Sequence, residues 1–221
     1  MDETTKTLKL WGEFERSILK GKGIDIGCGP DPVTPSVRRF DMEDGDANYI
    51  TKYVSEQFDF VYASHCLEHM HKPGEAVLEW WQLVRVGGHM IFIVPDEDLY
   101  EQGVFPSRFN PDHKATFTIS KQQSWSPISI NVLDLASSLP NGRLVSLMLQ
   151  DQGYDRRLMK HGKLKPSRLA RFTLKFYRAM HRVLNGRLRT FDPLNDSCIT
   201  FDQTRRPDVV AQIQCIVQKV A

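Results

Sequence analysis

The residues Gly23-Ile24-Asp25-Ile26-Gly27-Cys28-Gly29-Pro30 constrain this chain more than any other stretch. The first four read as a short buried strand of small and β-branched residues with a single carboxylate, Asp25. Gly27 and Gly29 then let the backbone turn tightly and approach a ligand without Cβ obstruction. In an open α/β sheet such a turn lies at the carboxyl end of a strand, where ligands bind. A dinucleotide fold asks for G-x-G-x-x-G, but Pro30 and Asp31 follow here, with Pro32 in the last glycine position. A Gly-rich strand end without a ligand is the bland alternative, and the buried Asp25 is hard to explain by it, because an apolar site leaves a carboxylate in need of a partner.

The rest of the pattern extends a parallel sheet. Leu10, Trp11, Phe14, Ile18 and Leu19 predict one helix over 8–20 that covers the sheet edge. Val37 to Phe40 reads as a second strand ending on Asp41, and the prolines between Asp31 and Pro35 abbreviate the first crossover. Phe58 to Ser64 is an almost wholly apolar strand. Pro73 opens a helix whose apolar side is Ala76, Val77, Trp80, Leu83 and Val84, stopped by Gly87-Gly88. Met90 to Val94 follows as a strand, completing a βαβ unit. From Asp96 to Pro127 the chain reads as a long aromatic-rich loop, of the kind that is usually functional. A helix over Asn131–Leu139, a strand over Leu144–Leu149 and a half-buried strand within Val209–Val220 complete the pattern. The fold class expected is α/β: a Rossmann-like, doubly wound, mainly parallel sheet with a last antiparallel strand. At 221 residues a single domain is the best division. It comprises an N-terminal helix (1–20), a cofactor-binding core (21–150), a helical insertion (151–206) and a final strand (207–221).

Four cysteines (Cys28, Cys66, Cys198 and Cys215) lie far apart with no C-x-x-C pair. They form neither a zinc set nor a disulfide framework, and free thiols suit a reducing compartment. With a polar, acidic start and no apolar run of ~20 residues, the expectation is a cytoplasmic protein.

The net charge of +2 conceals a division. Residues 156–189 hold twelve Lys or Arg and no acid, leaving 17 basic against 27 acidic residues elsewhere, a net of −10. Leu169, Phe172, Phe176, Met180 and Val183 recur at helical steps, and Arg168, Arg171, Lys175, Arg178 and Arg182 do the same on a neighbouring face. This amphipathic helix, within 166–190, could pack on its own domain or on a second copy in a homodimer. It could equally touch an anionic membrane or a lipid-linked substrate. The absence of an RNA-binding module argues against nucleic acid.

Gly23 to Gly29, Phe58-Asp-Phe-Val61, Leu67-Glu68-His69-Met70 and Gly87-Gly88 before Met90 to Pro95 together resemble class I S-adenosylmethionine-dependent methyltransferases. The small-molecule branch called type 11 is the nearest, and the likeness covers roughly residues 20–100. The loop from Pro95 to Glu101, with Asn110 to Lys114 and Phe117-Thr118, is similar to a subgroup among polysaccharide-biosynthesis enzymes. The resemblance implies S-adenosylmethionine as cofactor and S-adenosylhomocysteine as product. It places Asp25, Gly27, Cys28 and Gly29 at the methionine end, with Asp25 near the ammonium directly or through water. Asp41, with Met42 beside it, would take the ribose hydroxyls. Asp46 and Ala47 would read the adenine, and Ser64 and His65 would line the sulfonium. Asp favours turns, so Asp41 and Asp46 also fit as ordinary turn acids.

His65-Cys66-Leu67-Glu68-His69 spells H-x-x-E-H, a zinc signature of inverted metallopeptidases. Strand residues up to Ser64 and Pro73 just beyond leave barely two helical turns, so no metal is expected. Methyl transfer to a hydroxyl gains from a base within hydrogen-bonding reach. His113 is the first candidate, with Asp96, Glu97 and His69 in reserve. The expected reaction is methylation of an oxygen on a small polar acceptor, a sugar or nucleotide-linked sugar. Two other functions are weighed: a nicotinamide oxidoreductase, and a non-catalytic binding protein that keeps the cofactor fold.

Overall fold

The computed structural model describes residues 3–159 and 202–221. The basic helix of 166–190, with its dimer and membrane readings, lies outside the described residues.

Six strands form one sheet: β1 (Gly23–Ile26), β2 (Arg38–Phe40), β3 (Phe58–Ser64), β4 (Val84–Pro95), β7 (Gly142–Gln150) and β8 (Gln212–Lys219). Their spatial order is β2-β1-β3-β4-β8-β7. The first four pair in parallel, while β8 runs antiparallel to both β4 and β7. The expected α/β class with an antiparallel last strand is what forms. That strand is inserted between two others, so both of its edges are paired. Two short strands make a separate parallel pair: β5 (Thr116–Thr118), within the segment read as a loop, and β6 (Ser129–Asn131), just beyond it. The path from β1 to β2 holds no helix, in keeping with its prolines.

Alternation along the strands sends side chains to two layers. One layer gathers Met90, Phe92 and Val94 of β4 with Ile213, Cys215 and Val217 of β8. It is covered by α3 (Pro73–Gln82) and α4 (Val132–Ser137), with Trp80 and Trp81 fully enclosed. Trp80 donates to the Ala47 carbonyl (2.8 Å) and Trp81 to the Pro140 carbonyl (2.9 Å), so the buried indoles leave no N–H unpaired. The other layer holds Phe60, Tyr62, Ile91, Ile93 and Ile216 beneath Trp11 and Ile18.

Two boundaries differ from the pattern reading. Residues 8–20 form no single helix: α1 (Glu3–Leu10) and α2 (Glu13–Ile18) are separated at Gly12, whose N–H is taken by Glu15 (3.1 Å), and Phe14 is left exposed. Helix α3 ends before the glycine pair, which instead sits inside β4. There Phe58 pairs with Val84 and Phe60 with His89, so β4 bulges outward. A Cβ on Gly88 would lie 2.7 Å from the Asp59 carbonyl oxygen, and Gly87 has φ +83°. Glycine is required by the bulge, not by a helix stop.

Strand β8 is not half-buried. Gln212 and Gln214 are as enclosed as the aliphatic residues between them. Trp11 Nε1 donates to Gln214 (2.6 Å), Gln212 donates to Thr7 (2.9 Å) and to Gln150 (2.7 Å), and Gln150 donates to Gln214 (3.3 Å). Amides that would be costly alone in an apolar layer bond to one another and to the N-terminal segment, with Gln214 Nε2 the one group of the set left without a partner.

Candidate functional site

The site lies along the carboxyl ends of β1, β2 and β3, where the opening glycine turn was expected to place it. Gly27 has φ +74°, and a Cβ there would stand 2.6 Å from the Cys66 sulfur. Its N–H donates to the Phe40 carbonyl (2.8 Å), which locks the turn to the neighbouring strand. Two chambers open on either side. The wider, of about 830 Å³, is bordered by Asp41, Met42, Asp46, Ala47 and Asn48. The narrower, of about 290 Å³, is bordered by Cys28, Gly29, Ser64, Glu68, Tyr100 and His113. Gly27, His65 and His69 border both.

In the wider chamber the carboxylates are held by backbone. Asp41 accepts from the N–H groups of Gly29 (2.8 Å) and Met42 (2.9 Å), which couples the ends of β1 and β2. Asp46 caps the following turn by accepting from Asn48 N–H (2.9 Å), and its side chain is also bound by the Asn48 amide (2.7 Å). This interaction draws its pKa down. Ala47 and Met42 stand on the wall as expected, Met42 almost fully exposed.

Asp25 lies beneath the glycine turn and borders neither chamber. It is fully buried and accepts from Val33 N–H (2.7 Å), while Oδ1 has no hydrogen-bond partner. Burial pushes its carboxyl up to about 7. Cys28 and Ser64 do border the narrow chamber, and Ser64 Oγ has no hydrogen-bond partner.

His65 adopts φ +51°, which turns its ring across the end of β3. Its Nε2 meets Gln212 (3.0 Å) and its Nδ1 lies 3.3 Å from Glu68 Oε1. Burial pulls the imidazole pKa down, but the Glu68 carboxylate outweighs it and lifts the value to about 9. Glu68 is correspondingly held low, despite burial that opposes its charge.

His113 comes from a loop more than forty residues later. Lys114 N–H donates to the Glu68 carbonyl (2.7 Å), and this one backbone bond seats the loop against the 67–69 turn. His113 is buried, with Nδ1 2.6 Å from Glu101 Oε1 and Nε2 4.0 Å from Glu68 Oε1. Tyr100 stacks on its ring at 5.3 Å. His69 sits edge-on to it at 5.1 Å, with Nδ1 3.0 Å from Asp112.

The reserves Asp96 and Glu97 belong elsewhere. Asp96 caps the wide helical turn Glu97–Glu101 through the N–H groups of Asp98 (3.1 Å) and Leu99 (3.0 Å). Glu97 is fully buried under the hydroxyls of Thr116, Ser124 and Ser129. Neither borders a chamber, so they act in the architecture of the loop.

Several bordering residues were not assigned to the site from the sequence. Glu3 and Thr4 of α1 reach the narrow chamber, as do Tyr100, Asn110, Asp202 and Thr204. The N-terminal helix thus does more than cover the sheet, and residues assigned to the insertion border the site. Glu68 was visible in Leu67-Glu68-His69-Met70 and inside H-x-x-E-H, and neither reading gave it a role in the site.

A parallel sheet with a glycine turn, a carboxylate after the second strand and a divided cavity defines a nucleoside-binding α/β protein. A family model described as a methyltransferase domain matches residues 5–160, and the chain belongs to that family. This sets aside the nicotinamide reading. No curated protein matches the chain. Among solved structures, it is similar to a protein from Bacillus halodurans described as a methyltransferase. There the identity is 13%, the coverage 95% of this chain and 98% of that one, and the TM-score 0.50. It is also similar to coclaurine N-methyltransferase, at 12% identity, 98% and 70% coverage and a TM-score of 0.50. At that identity the likeness concerns the fold. Among the described residues no helix is long and apolar enough to cross a membrane.

Proposed function

We propose that this methyltransferase carries the methyl group of S-adenosylmethionine to an oxygen of a small polar acceptor, a sugar hydroxyl. The observation that carries the reading is the meeting of two chambers at Gly27, His65 and His69. A nucleoside in the wide chamber would find Asp41 for its ribose hydroxyls and the Asp46–Ala47 edge for its adenine. The methionine end would lie along Cys28 and Gly29, its ammonium toward Asp25 through the turn. The sulfonium then falls at the join, beside Ser64 and His65.

In the displacement the acceptor oxygen attacks the methyl carbon, the carbon–sulfur bond breaks toward sulfur, and the acceptor hydroxyl loses its proton. Positioning and exclusion of water supply most of the rate. His113 is the group we place on the acceptor side, since Glu101 at Nδ1 leaves Nε2 to face the chamber. Glu3, Asp31, Glu68 and Asp202 border the narrow chamber without a Lys or Arg among the described residues. Such a wall suits a neutral polyol, and the phosphates of a nucleotide-linked sugar would have to lie outside it. A role in polysaccharide biosynthesis would follow from that acceptor class.

Calorimetry should detect S-adenosylhomocysteine, and labelled S-adenosylmethionine should transfer its methyl to a sugar as an alkali-stable ether. Labelling of amines alone in a cell extract would overturn the oxygen assignment.

A further inference from the structure

We propose that Glu68, His69 and His113 form a site for one divalent transition-metal ion at the inner end of the narrow chamber. Each of the three offers one ligand atom, and those atoms lie within 4.8 Å of one another. Both histidines have Nδ1 against a carboxylate: His113 with Glu101 at 2.6 Å, His69 with Asp112 at 3.0 Å. A carboxylate at Nδ1 fixes the tautomer and presents the Nε2 lone pair, the arrangement that metal-bound histidines show. The third member supplies an independent sign. Glu68 is 1% exposed, and neither of its oxygens accepts a well-formed hydrogen bond, though His65 is at ion-pair distance. His65 offsets part of that charge, and the two oxygens without hydrogen bonds keep lone pairs that a second cation can use.

The donor set is two imidazoles and one carboxylate, which suits zinc, cobalt or manganese better than calcium or magnesium. Three protein ligands beside an open chamber leave a position for a substrate oxygen, as in catalytic sites. Resting on the oxygen-methylation reading above, the ion would bind the acceptor hydroxyl and lower its pKa. The hydroxyl proton passes to water, the metal-bound oxygen attacks the methyl carbon, and the carbon–sulfur electron pair returns to sulfur.

The metal-free expectation from the sequence is thereby revised, for a reason the sequence hides. The rejected motif would have joined His65 to His69, but His65 turns to Gln212. The second imidazole comes from the loop that Lys114 pins to Glu68.

The test uses the full chain, stripped with a chelator and titrated with Co²⁺ by absorption and with Zn²⁺ by calorimetry. One ion per chain is expected. His113→Asn and Glu68→Gln should abolish saturable binding, and Glu101→Gln should weaken it about 10- to 100-fold. His89→Asn, on β4 and outside the cluster, should bind as the wild type does. S-adenosylhomocysteine binding by His113→Asn shows that the variant is folded. The absence of stoichiometric binding by the wild type, or its persistence in His113→Asn, overturns the site. Turnover of a sugar that survives chelation overturns the Lewis-acid role while sparing the oxygen-methylation reading. Stoichiometric metal with no oxygen acceptor found would support the site and defeat that reading instead.

Discussion

The two chambers differ in how their carboxylates are held. Around the wide chamber, Asp41 and Asp46 accept backbone N–H groups of the glycine turn or of residues next to themselves. Beside the narrow chamber, Glu68 lies against His65 of its own turn and His113 of a later loop, Glu101 pairs with that same His113, and each carboxylate has at least one oxygen without a hydrogen bond. The first arrangement is complete before any ligand arrives and can read a neutral hydroxyl or amine edge. The second sets buried carboxylates against imidazoles, a pairing of titratable groups that gathers where chemistry is done.

The comparison breaks most readily at His113. Replacing it with Asn should lower turnover by about 10²-fold while S-adenosylhomocysteine affinity stays unchanged. Equal losses in both would merge the two chambers into one functional unit.

Asp41→Ala tests the other side. It should weaken S-adenosylhomocysteine by about 1–3 kcal/mol, the scale of a lost charged hydrogen bond, with little change in turnover at saturating cofactor. Calorimetry measures the first and initial rates the second.

Asp25 gives a smaller effect that depends on pH. Its folded value of about 7 stands above the ordinary 3.8. Its stabilising contribution is therefore full below the ordinary value and is lost as pH rises through about 7. Above that pH, ligand-free Asp25→Asn should melt higher than the wild type, and the gap should close in acid. A nearby ligand ammonium favours the carboxylate, so wild-type affinity should fall as pH drops from about 8 to about 6. Asp25→Asn should show no such slope.

Asp46→Ala should cost least, about 1 kcal/mol of stability from the lost cap, read as a modest drop in melting temperature. A large loss of nucleoside affinity beyond that would strengthen the adenine role.

Much of the nucleoside end was legible because its causes are local. Two glycines with positive φ and a capping Asp act within a few residues, and the carboxylate after the second strand reaches back only twelve, to Gly29. Their meaning survives without knowledge of the rest of the chain. The apolar runs of β3 and β4 likewise specified a sheet buried on both faces. The pattern misled where burial overrode it. The glutamines of β8 alternate as a half-exposed strand should, yet the N-terminal segment covers their face, where Trp11, Thr7 and Gln150 bond to them and only Gln214 Nε2 is left without a partner.

The sequence by itself determined the α/β class, the strands of the βαβ unit and the glycine turn at the end of β1, since hydrogen bonds and hydrophobic periods are written over short spans. Tertiary structure decided the acceptor side. His113 meets Glu68 only because the loop after β4 folds back and Lys114 bonds to the Glu68 carbonyl, and α1 reaches the cavity only by packing over β8. Contacts of that span follow from how the whole core closes, and no local spacing encodes them.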